Sequence, residues 1–162
     1  MLFGFLIACY GVSFVGSEGA FQGLGGWYLV TNRPGWAPPI WMFSPAWTVL
    51  YGLVAISGWF AWRAVKRPAA GFWLYWLQLA LGGAWPWLFF ARHLLVASAI
   101  EIVVQWALLL ALVILFLRNR PTAGLLLVPY LLWVAYAAAL NFTVWKMNSG
   151  PEVGTVIVGS GP

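Results

Sequence analysis

Nearly all the charge in this chain sits at the ends of long apolar runs, and that placement dictates the solvent it folds in. The run from Ser44 to Trp62 ends at Arg63, Lys66, Arg67 and Pro68. The next, Gly71 to Phe90, is closed by Arg92 and His93. Leu94 to Leu117 stops at Arg118, Asn119, Arg120 and Pro121, and Thr122 to Trp145 stops at Lys146. Each run approaches the ~20 apolar residues a helix needs to cross a bilayer. An earlier run, Leu2 to Val15, continues toward Phe21 but is rich in glycine and interrupted by Glu18, so it is the weakest of the set. Only 7% of the residues are charged, against about 25% in a soluble domain. A chain with 64% hydrophobic residues needs lipid around it.

The expected architecture is therefore an all-α integral membrane protein, a five-transmembrane-helix bundle over residues 1–147. The short connections between the last three runs make those helices antiparallel neighbours. The stretch Gly23 to Ile40 reads as a loop from its Gly, Asn and Pro content. Residues 148–162, rich in Gly and Pro, are expected to be a disordered tail, and Val153 to Val158 is too short to span. Five spans put the termini on opposite sides. Arg63, Lys66, Arg67, Arg118 and Arg120 gather on the N-terminal side, against Arg33, Arg92 and Lys146 on the other, so the N-terminus is expected in the cytoplasm. The chain is expected to be a multi-pass protein of a bacterial cell membrane.

Several function classes drop out. The net charge of +5 comes from basic residues at segment ends, and a basic face interleaved with aromatics, as nucleic acid needs, is absent. Cys9 is the sole cysteine and His93 the sole histidine, which excludes an internal disulfide and a Cys or multi-His metal cluster. Nothing resembles paired catalytic carboxylates or a nucleophile with its base. No positive n-region of a cleaved signal peptide precedes Leu2, so the first run is expected to be retained. No internal repeat argues for an inverted-repeat transporter.

Chemistry concentrates between Trp36 and Tyr51. Pro38 and Pro39 make the approach extended and stiff. Ser44 is expected to cap a helix with Pro45 in its first turn. Trp47 and Tyr51, four apart, share a face of that helix. The stretch reads as a stiff aromatic lid, bearing Trp36, that leads into a helix with inward aromatics suited to a flat apolar ligand. On the third span Gln78, Gly82 and Trp85 share one face; Gly82 and Gly83 mean either close helix packing or room for a ligand. On the fifth, Trp133, Ala137 and Asn141 are spaced by four with Tyr130 near that face. Many of the 13 tryptophans suit an interfacial belt, but Trp47, Trp85 and Trp133 lie where a cavity would be lined. Glu101 and Gln105 form a polar pair in the fourth span, either a functional acid or a structural one.

Together these segments resemble the tryptophan-rich sensory protein / translocator protein family (TspO/MBR). The carrying motifs are Trp27-Tyr28, then Arg33-Pro34-Gly35-Trp36-Ala37-Pro38-Pro39-Ile40-Trp41 and Pro45-Ala46-Trp47-Thr48-Val49-Leu50-Tyr51. They continue with Gln78-Leu79-Ala80-Leu81, Trp85-Pro86, Phe89-Phe90, Pro129-Tyr130-Leu131-Leu132-Trp133 and Leu140-Asn141. The resemblance implies a five-helix, usually dimeric bundle that binds porphyrins, sterols and synthetic aromatic ligands under the first long loop. Carried over, the lining would include Trp47, Tyr51, Trp85, Trp133, Ala137 and Leu140. Two departures stand out. Gly82 replaces a common family Asn, which removes a polar contact to ligand carbonyls and enlarges the pocket. Phe142 replaces the sterol-motif tyrosine, which argues against sterol recognition. The expected function is binding of tetrapyrroles, with no cofactor required, as sensor, carrier or regulator in a homodimer. The alternatives are light- and oxygen-dependent porphyrin breakdown, with Trp47 and Trp133 as radical or quenching partners, transport of small amphipathic molecules, or a purely structural dimer.

Overall fold

The computed structural model describes residues 1–64 and 70–149. Among these there is no strand. There are six α-helices: α1 (Leu2–Leu24), α2 (Trp27–Val30), α3 (Ile40–Ala64), α4 (Ala70–Pro86), α5 (Leu95–Asn119) and α6 (Pro121–Asn148). Four of them, α1, α3, α5 and α6, are long and apolar enough to cross a membrane. The expectation of five spans thus meets two departures. The loop between α1 and α3 holds the four-residue α2, and α4 has only 17 residues before Pro86. Beyond Pro86 the chain continues as a π-helical turn, Trp87–Ala91. Of the tail expected to be disordered from residue 148, Asn148 instead ends α6 and is hydrogen-bonded to Asn32, and residues 150–162 lie outside the described residues.

Two boundaries depart from the sequence reading for identifiable reasons. α1 runs through Glu18 to Leu24 with Glu18 on its exposed side, so the carboxylate does not have to enter the helix packing. α3 begins at Ile40, not at a Ser44 cap. The extended Pro38-Pro39 pair ends there, and the Met42 N–H bonds back to the Pro39 carbonyl at 2.9 Å. Pro45 consequently lies inside the helix, where it withholds a donor from the Trp41 carbonyl.

α1 packs between α3 and α4, α6 packs on α3, and α5 fills the gap between α6 and α4, so the helices close into a ring. Contacts fix the sense of α1 and α4. A Cβ on Gly16 would meet Gly83 and Pro86, one on Gly19 the Trp87 ring, and one on Gly23 the Phe90 backbone, so the two helices run parallel. Glycine at these three positions lets the backbones approach closely. Tyr75 ties three helices: its hydroxyl donates to the Val54 carbonyl at 3.1 Å and lies 3.2 Å from the Cys9 sulfur. Ser57 donates to the Ala123 carbonyl at 2.7 Å, joining α3 to α6.

The π turn has a local consequence. The Arg92 N–H reaches five residues back to the Trp87 carbonyl at 2.9 Å. The added residue per turn brings two adjacent side chains, Phe89 and Phe90, inward together, 0% and 1% exposed.

Candidate functional site

A cavity of about 420 Å³ opens between α1, α3 and the junction of α4 with the π turn. Its size lies within the range of small-molecule sites. The aromatic wall is Phe43, Trp47, Tyr51, Trp85 and Phe90; hydroxyls come from Ser13, Ser17, Ser44 and Thr48. Ile40 and Trp41, the first residues of α3, also line it.

The aromatic wall is held from behind. Trp47 meets Trp133 edge-on at 6.3 Å and Tyr130 edge-on at 6.2 Å, and lies 5.8 Å from the Tyr51 ring. Trp85 stacks on Phe89 at 5.0 Å and meets Phe90 edge-on. Its indole N–H donates to the Asn141 side-chain oxygen at 3.1 Å, and the Asn141 amide donates to the Leu95 carbonyl at 3.0 Å. This fixes both the orientation of Trp85 and the contact of α4, α5 and α6.

Of the residues singled out from the sequence, Trp47, Tyr51, Gly82 and Trp85 line the cavity. Tyr130 and Trp133 stand behind Trp47, and Asn141 anchors Trp85 without lining the cavity. Ala137 and Leu140 are buried on the inner side of α6. Gln78 is fully buried, with neither amide atom bonded among the described residues. Trp36, 47% exposed, lies away from the lining. Its ring meets Tyr136 at 5.6 Å and its carbonyl accepts the Tyr136 hydroxyl at 2.8 Å. A reciprocal pair, Asn148 Nδ2 to the Asn32 carbonyl at 3.0 Å and Asn32 N–H to Asn148 Oδ1 at 3.3 Å, fastens the same connection to the end of α6. The expected extra room at Gly82 is not there on its side-chain side: a Cβ would lie 2.7 Å from the Tyr130 oxygen and 2.8 Å from Gln105 Nε2. Those polar tips fill the volume an Asn would take.

The sequence reading missed the α1 wall: Ser13, Gly16, Ser17, Ala20, Phe21 and Leu24. The signal was the small-residue spacing Gly16, Gly19 or Ala20, and Gly23, which marks a face that packs closely. Trp27 is half-buried and stacks on His93 at 4.4 Å. His93 itself has φ 54°, a left-handed turn between the π segment and α5. The Arg33 guanidinium lies 4.7 Å over the Tyr28 ring, which meets Phe43 and Phe90 of the cavity wall edge-on. Burial pushes the Tyr28 hydroxyl above its ordinary range, and the Arg33 charge offsets part of that. The Glu101 carboxyl oxygens are shielded and unbonded among the described residues.

The chain is similar over most of its length to proteins from bacteria, archaea and mammals. It is 36% identical to Protein CrtK of Rhodobacter capsulatus, over 91% of this chain and 92% of that one. It is 33% identical to the tryptophan-rich protein TspO of Archaeoglobus fulgidus, over 89% and 94%. To the translocator protein of Sus scrofa it is 33% identical, over 79% and 78%. The profile of the TspO/MBR family matches residues 5–146, and the chain belongs to that family.

Proposed function

We propose that this protein binds a flat, largely apolar tetrapyrrole in the cavity between α1, α3 and α4, and acts as a sensor or carrier for it. The observation that carries this reading is the aromatic wall of Trp47, Tyr51, Trp85, Phe43 and Phe90 around a 420 Å³ space. Stacking on such a wall contributes about 0.5–1.5 kcal/mol per aromatic contact beyond burial. In this reading α4 and its π turn together make the fifth membrane crossing, and the small face of α1 completes the bundle. The relatives' names, a translocator and a tryptophan-rich protein, accord with handling a ligand in the membrane. The protein works as a homodimer, and porphyrin is ligand, not resident cofactor.

Tryptophan fluorescence titration of the purified protein with protoporphyrin IX in the dark tests this. Saturable quenching is expected in the parent protein. Trp47→Ala should weaken it by about tenfold through lost stacking and burial. Trp133→Ala should weaken it less, because Trp133 acts by holding Trp47 in place. Parent-like titrations in both variants, with the fold intact by circular dichroism, would sink the reading. Repeating the titration under light separates binding from breakdown: new absorbance bands would add an oxidative activity at Trp47.

A further inference from the structure

Glu18 and Glu101 are the acidic residues among those described; Glu18 is exposed, whereas Glu101 is drawn into the bundle. Glu101 lies about 9 Å along the axis from the start of α5, a helix long and apolar enough to cross a membrane. Both its carboxyl oxygens are shielded, and neither has a hydrogen-bond partner among the described residues. Glu101, Leu108 and Leu115 recur every seven residues and so share one edge of α5. That edge abuts α4: a Cβ on Gly71 would meet Leu115 Cδ2 at 2.8 Å. No counter-charge faces it there. α4 carries Tyr75 and Gln78 but no charged side chain, and the π turn carries none. α6 contributes Tyr130 and Tyr136, with Lys146 exposed in its last turn. α3 touches α5 lightly and contributes Tyr51, with Arg63 at its far end. Ahead of α5, Arg92 lines an outer groove between α1 and α4, and His93 stacks on Trp27. A carboxylate without a partner in hydrocarbon is costly, whereas the neutral acid leaves only uncharged groups unmet. The shielded oxygens admit a proton but not a larger cation.

We infer that Glu101 is a proton-binding site, held as the neutral acid while α4 and α5 are packed and ionised only when water enters the seam between them. That seam supports the cavity from behind. One turn on from Glu101, Gln105 donates to the Tyr130 hydroxyl at 2.8 Å, and Tyr130 backs Trp47 edge-on. Less than two turns before Glu101, the Leu95 carbonyl takes the Asn141 amide whose oxygen orients Trp85. Opening the seam to ionise Glu101 therefore loosens both supports together. The sign follows from linkage: the packed state binds a proton that the open state releases, so raising the pH favours the open state. Lowering the pH has no further effect once the carboxyl is protonated in both states. The chain thus keeps its aromatic wall closed at low pH and relaxes it at high pH, where it would let a ligand go. Only that last consequence rests on the cavity being a ligand site.

Infrared spectroscopy of the purified protein in mixed micelles reads the carboxyl directly. At neutral pH the parent should show the carbonyl stretch of a protonated carboxylic acid. The band should persist in Glu18→Gln and Glu152→Gln, vanish in Glu101→Gln, and fade in the parent as the pH is raised. Denaturant unfolding from about pH 5 to about pH 9, wholly above the ordinary carboxylate value, reads the coupling. Through part of that range the parent's folded-to-unfolded ratio should fall by up to tenfold per pH unit, the slope of one linked proton. Glu101→Gln keeps the neutral shape without the proton site and should lose that dependence. No acid band in the parent, a band that survives Glu101→Gln, or the same pH dependence in parent and variant would overturn the inference. If Glu101→Gln does not fold, the parent's band and its loss at high pH decide. An acid band and a linked pH dependence without protoporphyrin quenching would keep the proton site and remove the tetrapyrrole reading; the reverse pattern would do the opposite.

Discussion

Replacing Asn141 with Leu should destabilise the bundle chiefly through Trp85. Asn141 accepts the Trp85 indole N–H at 3.1 Å and donates to the Leu95 carbonyl at 3.0 Å. Leucine keeps the side-chain volume and removes both bonds. Trp85 is only 2% exposed, so its N–H finds no water in exchange. A buried donor left unmet costs about 1–3 kcal/mol. The Leu95 carbonyl keeps the Ser98 hydroxyl at 3.1 Å, so its loss is smaller. Hydrogen bonds between helices in lipid run low, nearer ~0.6 kcal/mol, because separated helices find other partners. The expected net loss is therefore about 0.6–2 kcal/mol. The assay is reversible unfolding in mixed micelles followed by circular dichroism, run as a double-mutant cycle with Trp85→Phe. In that background Asn141→Leu orphans no indole, so its cost should fall and the coupling should be about 0.6–1.5 kcal/mol. A coupling below about 0.3 kcal/mol, the usual scatter for independent sites, would refute the reasoning.

Further tests concern the α1 contact and the loop clasp. Gly23→Ala places a Cβ 2.7 Å from the Phe90 carbonyl carbon, a backbone group that cannot rotate aside, and should cost at least about 2–3 kcal/mol in thermal unfolding. Gly11→Ala meets open space and should be neutral or raise stability by up to about 1 kcal/mol through helix propensity; equal effects at the two sites would contradict the close α1–α4 packing. Tyr136→Phe removes the bond to the Trp36 carbonyl and should speed amide exchange across residues 31–39 about two- to tenfold. Unchanged exchange there would mean the Asn32–Asn148 pair holds the loop alone.

What the sequence made legible was the material governed by one helix at a time. Apolar runs and terminal charges located α3, α5 and α6, and the spacing of Trp47 with Tyr51 put both on the cavity side. What depends on two helices at once was harder to read. Gly82 looked like vacant room because its filling comes from Tyr130 on α6 and Gln105 on α5, distant in the chain. Asn141 was legible as an interhelical amide, but its partner, the Trp85 indole, lies 56 residues away. α1 looked weak as a span because Glu18 and its glycines lower its apolar character, yet those same glycines let it approach α4. The Ser44 cap failed because the Pro38-Pro39 pair ends the extended stretch earlier, at Ile40. No composition signal marks the π turn, whose register only the packing of Phe89 and Phe90 reveals.

The parallel pairing of α1 with α4 also bears on how the protein is made. α1 leaves the ribosome before either of its neighbours, and α4 follows only after α3 and its connections. A chain grows at about 5–20 residues per second, so α1 waits in the bilayer for seconds before α4 reaches it. During that wait its glycine-rich face is open to lipid or to other nascent helices. The ring closes only when α6, which follows the other described helices in the chain, docks against both α5 and α3. Biogenesis is thus decided late: α1 has α3 beside it before α4 can cover its glycine-rich face, and a product stalled before α6 leaves the bundle open at its α3 side.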